Sequence, residues 1–145
     1  MCGVSGAYVP RALRERVAAA ARYRCGYCLT AEKVCGARMV IDHIIPESRG
    51  GPTVEENLWL ACALCNVYKG DQIVAVDSVS GEAVRLFDPR HQRWAEHFAW
   101  TGAGDEIVGL TATGRATVAA LRLNRPELVA ARRAWVAVGW HPPKD

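Results

Sequence analysis

Cys25-Gly26-Tyr27-Cys28 and Cys62-Ala63-Leu64-Cys65 enclose Asp42-His43 and Asn57, and Asn66 directly follows the second pair. This nesting decides the fold. A structural zinc ion takes four soft ligands in a tetrahedron, and Cys thiolates supply them. Two residues between paired cysteines let one tight turn aim both sulfurs at one ion. Two such knuckles a few dozen residues apart predict a zinc site on Cys25, Cys28, Cys62 and Cys65. The competing reading is a pair of disulfides in a secreted domain. Small secreted scaffolds are denser in cysteine, and residues 1–10 lack a basic start followed by an apolar run. Cys2 and Cys35 have no partner at ligand spacing. They read as incidental thiols, which fits a reducing cytoplasm.

The elements follow outward from the knuckles. Arg11 to Tyr23 is rich in Ala and Arg and free of Gly and Pro, which predicts a helix. Arg38 to His43 is a short β-branched run and predicts a strand. Pro46, Gly50, Gly51 and Pro52 mark a loop. Asn57 to Ala61 predicts a second strand, and the second knuckle opens a helix that ends near Lys69 and Gly70. Beyond Asp71, strands are expected over 73–76 and 83–87 around the turn 80–82. A further strand is expected over 107–110 and a helix over 115–123. Asn124-Arg125-Pro126-Glu127 reads as a helix start with Asn124 as the cap, and Gly139 as the end. The residues from 1 to 72 are expected to form the core unit, with 73–145 an extension packed on it.

The chemistry lies between the knuckles. Hydrolysing a phosphodiester needs a base for water, a cation at the phosphate, and stabilisation of the leaving alkoxide. His43 suits the base, because imidazole titrates near neutral pH. Strand neighbours alternate faces, so Asp42 points away from His43, yet it can reach a metal from the strand end. Asn66 can supply a second oxygen to the same ion. Oxygen ligands with open water positions suit Mg²⁺ or Mn²⁺ better than zinc. Asn57 is placed to hold the imidazole or to brace the loop. Glu47 is near the base in sequence and is taken as a solvated loop carboxylate.

Composition bounds the partners. The chain has 145 residues, and its net charge of +3 permits nucleic-acid binding without demanding it. No stretch reaches the roughly 18 apolar residues of a membrane span. Arg11, Arg14, Arg16, Arg22 and Arg24 face a single acid, Glu15, between Pro10 and Cys25. Arg14, Arg22, Arg24 and Lys69 are therefore the candidate DNA contacts. Arg90, Arg93, Arg115, Arg122, Arg125, Arg132 and Arg133 form a competing set, nearly balanced by acids. His91, His97 and His141 lack metal spacing. Trp94, Phe98, Trp100, Trp135 and Trp140 are expected in the core of the C-terminal part.

The segment Cys25 to Asp71, with Ile41-Asp42-His43-Ile44-Ile45-Pro46, Gly50-Gly51, Glu56-Asn57-Leu58, Cys65-Asn66 and Lys69-Gly70, closely resembles the HNH endonucleases. It is similar to the zinc-knuckle branch. Arg85 to Pro142 is similar to the tail of small stand-alone bacterial members. The resemblance implies an α+β protein with a zinc-stapled ββα-metal core, an N-terminal helix and a mixed hairpin and helical extension. It implies His43 as general base, Asn57 as the family's middle Asn, and Asp42 and Asn66 as ligands of a catalytic Mg²⁺ or Mn²⁺. Asn66 stands where many members carry His, which lowers affinity for soft metals. The activity implied is metal-dependent hydrolysis of DNA phosphodiester bonds. The alternative is a non-catalytic zinc module that binds nucleic acid or a protein.

Overall fold

The computed structural model describes residues 8–144; the expectations for Cys2 and for residues 1–7 lie outside them. The element order matches an α+β protein. Helix α1 (Arg11–Ala20) buries Val17 and Ala18. It ends three residues before the expected Tyr23, because Arg22 and Tyr23 take left-handed backbone (φ 56° and 57°). That reversal turns the chain into the first knuckle, where Cys25 N donates to Thr30 O and Arg24 bridges Ala31. No Gly or Pro marks the spot, so periodicity alone runs the helix on. A short helix α2 (Glu32–Cys35), not foreseen, closes on Gly36.

Strands β1 (Val40–His43) and β2 (Leu58–Ala61) pair antiparallel, with Asp42 opposite Trp59 and His43 opposite Leu58. Helix α3 (Ala63–Lys69) follows β2 directly, started by Cys62, whose Sγ accepts from Cys65 N. This β1–β2–α3 unit is the expected core. Two further hairpins complete the sheets among the described residues: β3 (Val74–Val76) with β4 (Ala83–Arg85), and β5 (Phe98–Trp100) with β6 (Ile107–Gly109). A one-turn helix α4 (Trp94–His97) precedes β5.

Helix α5, expected over 115–123, runs over Ala112–Ala120, started by the Thr111 hydroxyl accepting from Gly114 N. Arg122, at φ 51°, then turns Leu121 and Leu123 into the core. Helix α6 (Pro126–Ala137) is capped by Arg125, not by Asn124. The Asn124 carboxamide instead pairs with β6, accepting from Ile107 N at 2.7 Å and donating to Ile107 O at 2.8 Å. A primary amide reproduces the donor and acceptor of a peptide, so it caps a strand edge as readily as a helix.

One apolar cluster crosses residue 72. Cys25, Tyr27, Cys28, Met39, Leu60, Ala61 and Cys65 pack with Leu86, Phe87, Phe98, Ile107, Leu121, Leu123 and Leu128. Trp94 sits between the two parts and donates its indole N–H to Tyr27 O at 2.9 Å. Trp94, Phe98, Trp100 and Trp135 pack in or against this cluster, as expected, but Trp140 is 59% exposed. No helix among the described residues is long and apolar enough to cross a membrane.

Candidate metal centre and active site

The four knuckle sulfurs converge. Sγ of Cys25, Cys28, Cys62 and Cys65 all lie within 4.8 Å of one another. Cys28 and Cys62 are 3.8 Å apart, far beyond disulfide length. A tetrahedron with ~2.3 Å metal–sulfur bonds has edges of about 3.8 Å, so the spacing fits one ion. Backbone N–H groups of Tyr27, Cys28 and Cys65 point at the sulfurs of Cys25 and Cys62. Three sulfurs are buried and Cys62 is half-buried. Burial pushes the Cys25 thiol up, while hydrogen bonds from its three neighbours pull Cys62 down. Cys35 lies apart and exposed, as an incidental thiol should.

At the far end of the hairpin, Asp42 and His43 separate as strand alternation demands. Asp42 is 3% exposed. Its Oδ2 accepts from Tyr27 Oη at 2.6 Å and its Oδ1 from Lys69 Nζ at 3.1 Å. Burial raises the Asp42 pKa, and the Lys69 charge and the Tyr27 hydroxyl partly offset it. Burial, then the Asp42 charge, holds Tyr27 protonated, so the phenol donates. Lys69 does not face solvent as a DNA contact. It is 2% exposed and also donates to the carbonyls of His43 and Ile44, at 2.9 and 3.2 Å. The helix after the second knuckle thus ends by clamping β1, which swallows the charge that spacing suggested was free.

His43 is half-buried, and its Nε2 lies 2.9 Å from Thr53 Oγ1. If Nε2–H donates to Thr53, the lone pair falls on Nδ1, which has no hydrogen-bond partner among the described residues. Thr53 was missed: nothing in Gly51-Pro52-Thr53 announces a histidine partner. Asn57 was expected either to hold the imidazole or to brace the loop, and it braces. Buried, it accepts from Ile45 N at 2.8 Å and donates to Ile45 O and Pro52 O at 3.0 and 2.9 Å. Both its N–H groups are thereby used on backbone. Gly51 lies against the same carbonyl: a Cβ there would collide with Ile45 O. Asn66 is half-buried on α3, and its carboxamide has no hydrogen-bond partner among the described residues. Glu47 is exposed on a 3₁₀ turn (Glu47–Arg49).

The family comparison agrees with this geometry. Residues 25–72 match the model of the HNH endonucleases. Searches of curated proteins and of solved structures return no match. The HNH segment coincides with the two knuckles, the β1–β2 hairpin and α3, and the match stops where the extension begins.

The arginines around the HNH segment are mostly engaged within the fold. Arg14 donates to Met39 O at 2.7 Å, and Arg16 pairs with Glu55 at 2.9 Å. Arg22 is exposed and Arg24 half-buried. Within the extension, Arg115 pairs with Asp77 and Arg133 with Asp105. Arg90 lies over Trp59, Arg122 over Tyr68, and Arg132 is fully buried. The competing arginine surface therefore largely dissolves into packing, leaving Arg93 and Arg122 among its exposed members. His91 pairs with Asp88 and His97 with Thr111, while His141 packs edge-on to Trp100.

Proposed function

We propose that the chain is a metal-dependent endonuclease acting on DNA, stapled by one zinc ion. The observation that carries this reading is His43. It is a half-exposed imidazole whose Nε2 is tied to Thr53, beside a buried carboxylate held between Lys69 and Tyr27. Cys25, Cys28, Cys62 and Cys65 would hold the zinc, on the sulfur spacing given above. Nδ1 of His43 takes a proton from the attacking water, while Nε2–H on Thr53 keeps the ring in the tautomer that allows it. Asn57 pins the loop that carries Thr53. Asp42 and Asn66 would be the oxygen donors for a catalytic Mg²⁺ or Mn²⁺, and the Lys69 charge partly offsets the burial that raises the Asp42 pKa. A bound divalent ion supplies charge neutralisation at the phosphate and at the leaving oxygen. Arg14, Arg22 and Arg24 are the candidate phosphate contacts on the N-terminal side.

The donor set fits a hard cation by type, a carboxylate with a carboxamide oxygen. One observation favours the non-catalytic alternative: both Asp42 oxygens already accept hydrogen bonds. That alternative leaves the oriented imidazole of His43 without a task. The test is direct. Purified protein is incubated with supercoiled plasmid and Mg²⁺, Mn²⁺ or EDTA, beside His43→Ala. Metal-dependent nicking that falls on the order of 10²-fold in the variant supports the reading. Equal nicking by both proteins assigns the activity to another base or to a contaminant.

A further inference from the structure

Four thiolates around one divalent ion leave a net negative charge, and here it would be buried. Buried charge is costly unless something of opposite sign lies against it. The extension brings the guanidinium group of Arg125 to this place. Arg125, the residue that caps α6, points Nη2 at Cys62 Sγ (3.7 Å) and Nη1 at Cys65 Sγ (3.8 Å). The fork thus spans both sulfurs of the second knuckle. Its aim is set from behind, because Nη1 also donates to Arg122 O at 3.2 Å and the guanidinium lies 5.6 Å from the Tyr68 ring centroid. Of the four sulfurs, Cys62 alone is not fully buried, and it is one of the two that Arg125 covers.

Arg132, two turns further along α6, is fully buried. It donates to Asp105 O, Leu123 O and Asn124 Oδ1, all neutral acceptors, and its Nε has no hydrogen-bond partner among the described residues. The Asp105 carboxylate bonds Arg133 and Thr101 instead.

We propose that Arg125 is the counter-ion of the zinc tetrathiolate. Metal retention in the HNH segment then depends on the C-terminal extension. The inference rests on the zinc reading and adds to it a defined outer partner. Groups that hydrogen-bond a metal's ligands commonly change affinity by roughly 10- to 100-fold.

The experiment compares full-length wild type, Arg125→Lys and Arg125→Met. Zinc is quantified by elemental analysis, and its release into excess EDTA is followed with a colorimetric indicator. About one zinc per wild-type chain is expected. Arg125→Met should release it about 10-fold faster, with Arg125→Lys between the two. A wild-type protein without zinc sinks the zinc reading, whatever the variants do. Zinc-loaded wild type and Arg125→Met with equal release rates sink the counter-ion alone. Equal acceleration in Lys and Met variants assigns the effect to packing and also overturns it. Should Arg125→Met fail to fold, cobalt-loaded wild type and Arg125→Lys decide the matter. A shifted sulfur-to-cobalt charge-transfer band supports the contact, and an unmoved band refutes it.

Discussion

At the scale of single residues, the sharpest feature is the buried pair of Asp42 and Lys69. Both side chains are about 3% exposed, and the pair is completed by Tyr27 and two backbone carbonyls. Removing one partner of such a pair strands the other charge, at a cost of roughly 3–5 kcal/mol. Lys69→Met should therefore destabilise the protein by about that amount in urea unfolding. Asp42→Asn combined with Lys69→Met should recover much of it, because no charge is then stranded. A double variant no more stable than Lys69→Met would mean the pair is not acting through charge. Beside it, the Thr53 hydroxyl holds His43 Nε2. One hydrogen bond contributes about 1 kcal/mol, or roughly 5-fold in rate if lost from the transition state. Thr53→Val should lower nicking by about that factor with DNA affinity unchanged. Unchanged nicking would detach Thr53 from the base.

At the scale of elements, the loop between β1 and β2 carries Thr53 and is braced by Asn57. It is long and irregular, so its backbone polar groups need partners. Asn57 serves three of them from one side chain, and Gly51 lets the chain pass Ile45 O without a Cβ. Gly51→Ala should push the two strands of the loop apart and break the Asn57 bonds. A loss of roughly 2–3 kcal/mol in thermal or urea unfolding is expected, with nicking reduced as Thr53 moves. Full stability in this variant would show that the loop can yield elsewhere. The knuckle pairs, the hairpin residues and the start of α3 were legible in the sequence, because turn spacing and strand period are local. The end of α1 and the cap of α6 were not. Arg22 and Tyr23 adopt left-handed backbone to serve the knuckle, and Asn124 serves β6 in place of α6.

For the whole molecule, zinc and acid test the same packing from two sides. The apolar cluster joins both halves, and the sulfurs lie within it. Metal binding to such a site is part of the folding free energy. Chelation should therefore abolish a single cooperative unfolding transition, and Cys25→Ser or Cys62→Ser should do likewise. Intact cooperative unfolding of a zinc-free protein would refute the stapling. Acid acts through His141 and Asp77. Burial, then the nearby Arg132, lowers the His141 pKa to about 4, below its ordinary value near 6.5. The unfolded chain then binds the extra proton first, so stability falls as pH drops from about 6.5 to about 4. Asp77 is held low chiefly by hydrogen bonds from Arg115, so its contribution persists above about pH 4 and fades below it. His141→Phe should flatten the upper part of the pH profile and Asp77→Asn the lower part, read from urea midpoints.

The sequence by itself determined the four converging sulfurs, the β1–β2–α3 order, the opposed faces of Asp42 and His43, and the family that residues 25–72 match. Each depends on spacing along a few residues, where turn geometry and strand alternation leave little choice. Tertiary structure alone decided the employment of the cations. Lys69 went to Asp42, Arg14 to Met39 O, Arg115 and Arg133 to carboxylates, and Arg125 to the sulfurs. A long charged side chain can be spent on any partner that folding brings within reach. Those partners lie as many as 63 residues away, as Arg125 does from Cys62, so no local pattern records them.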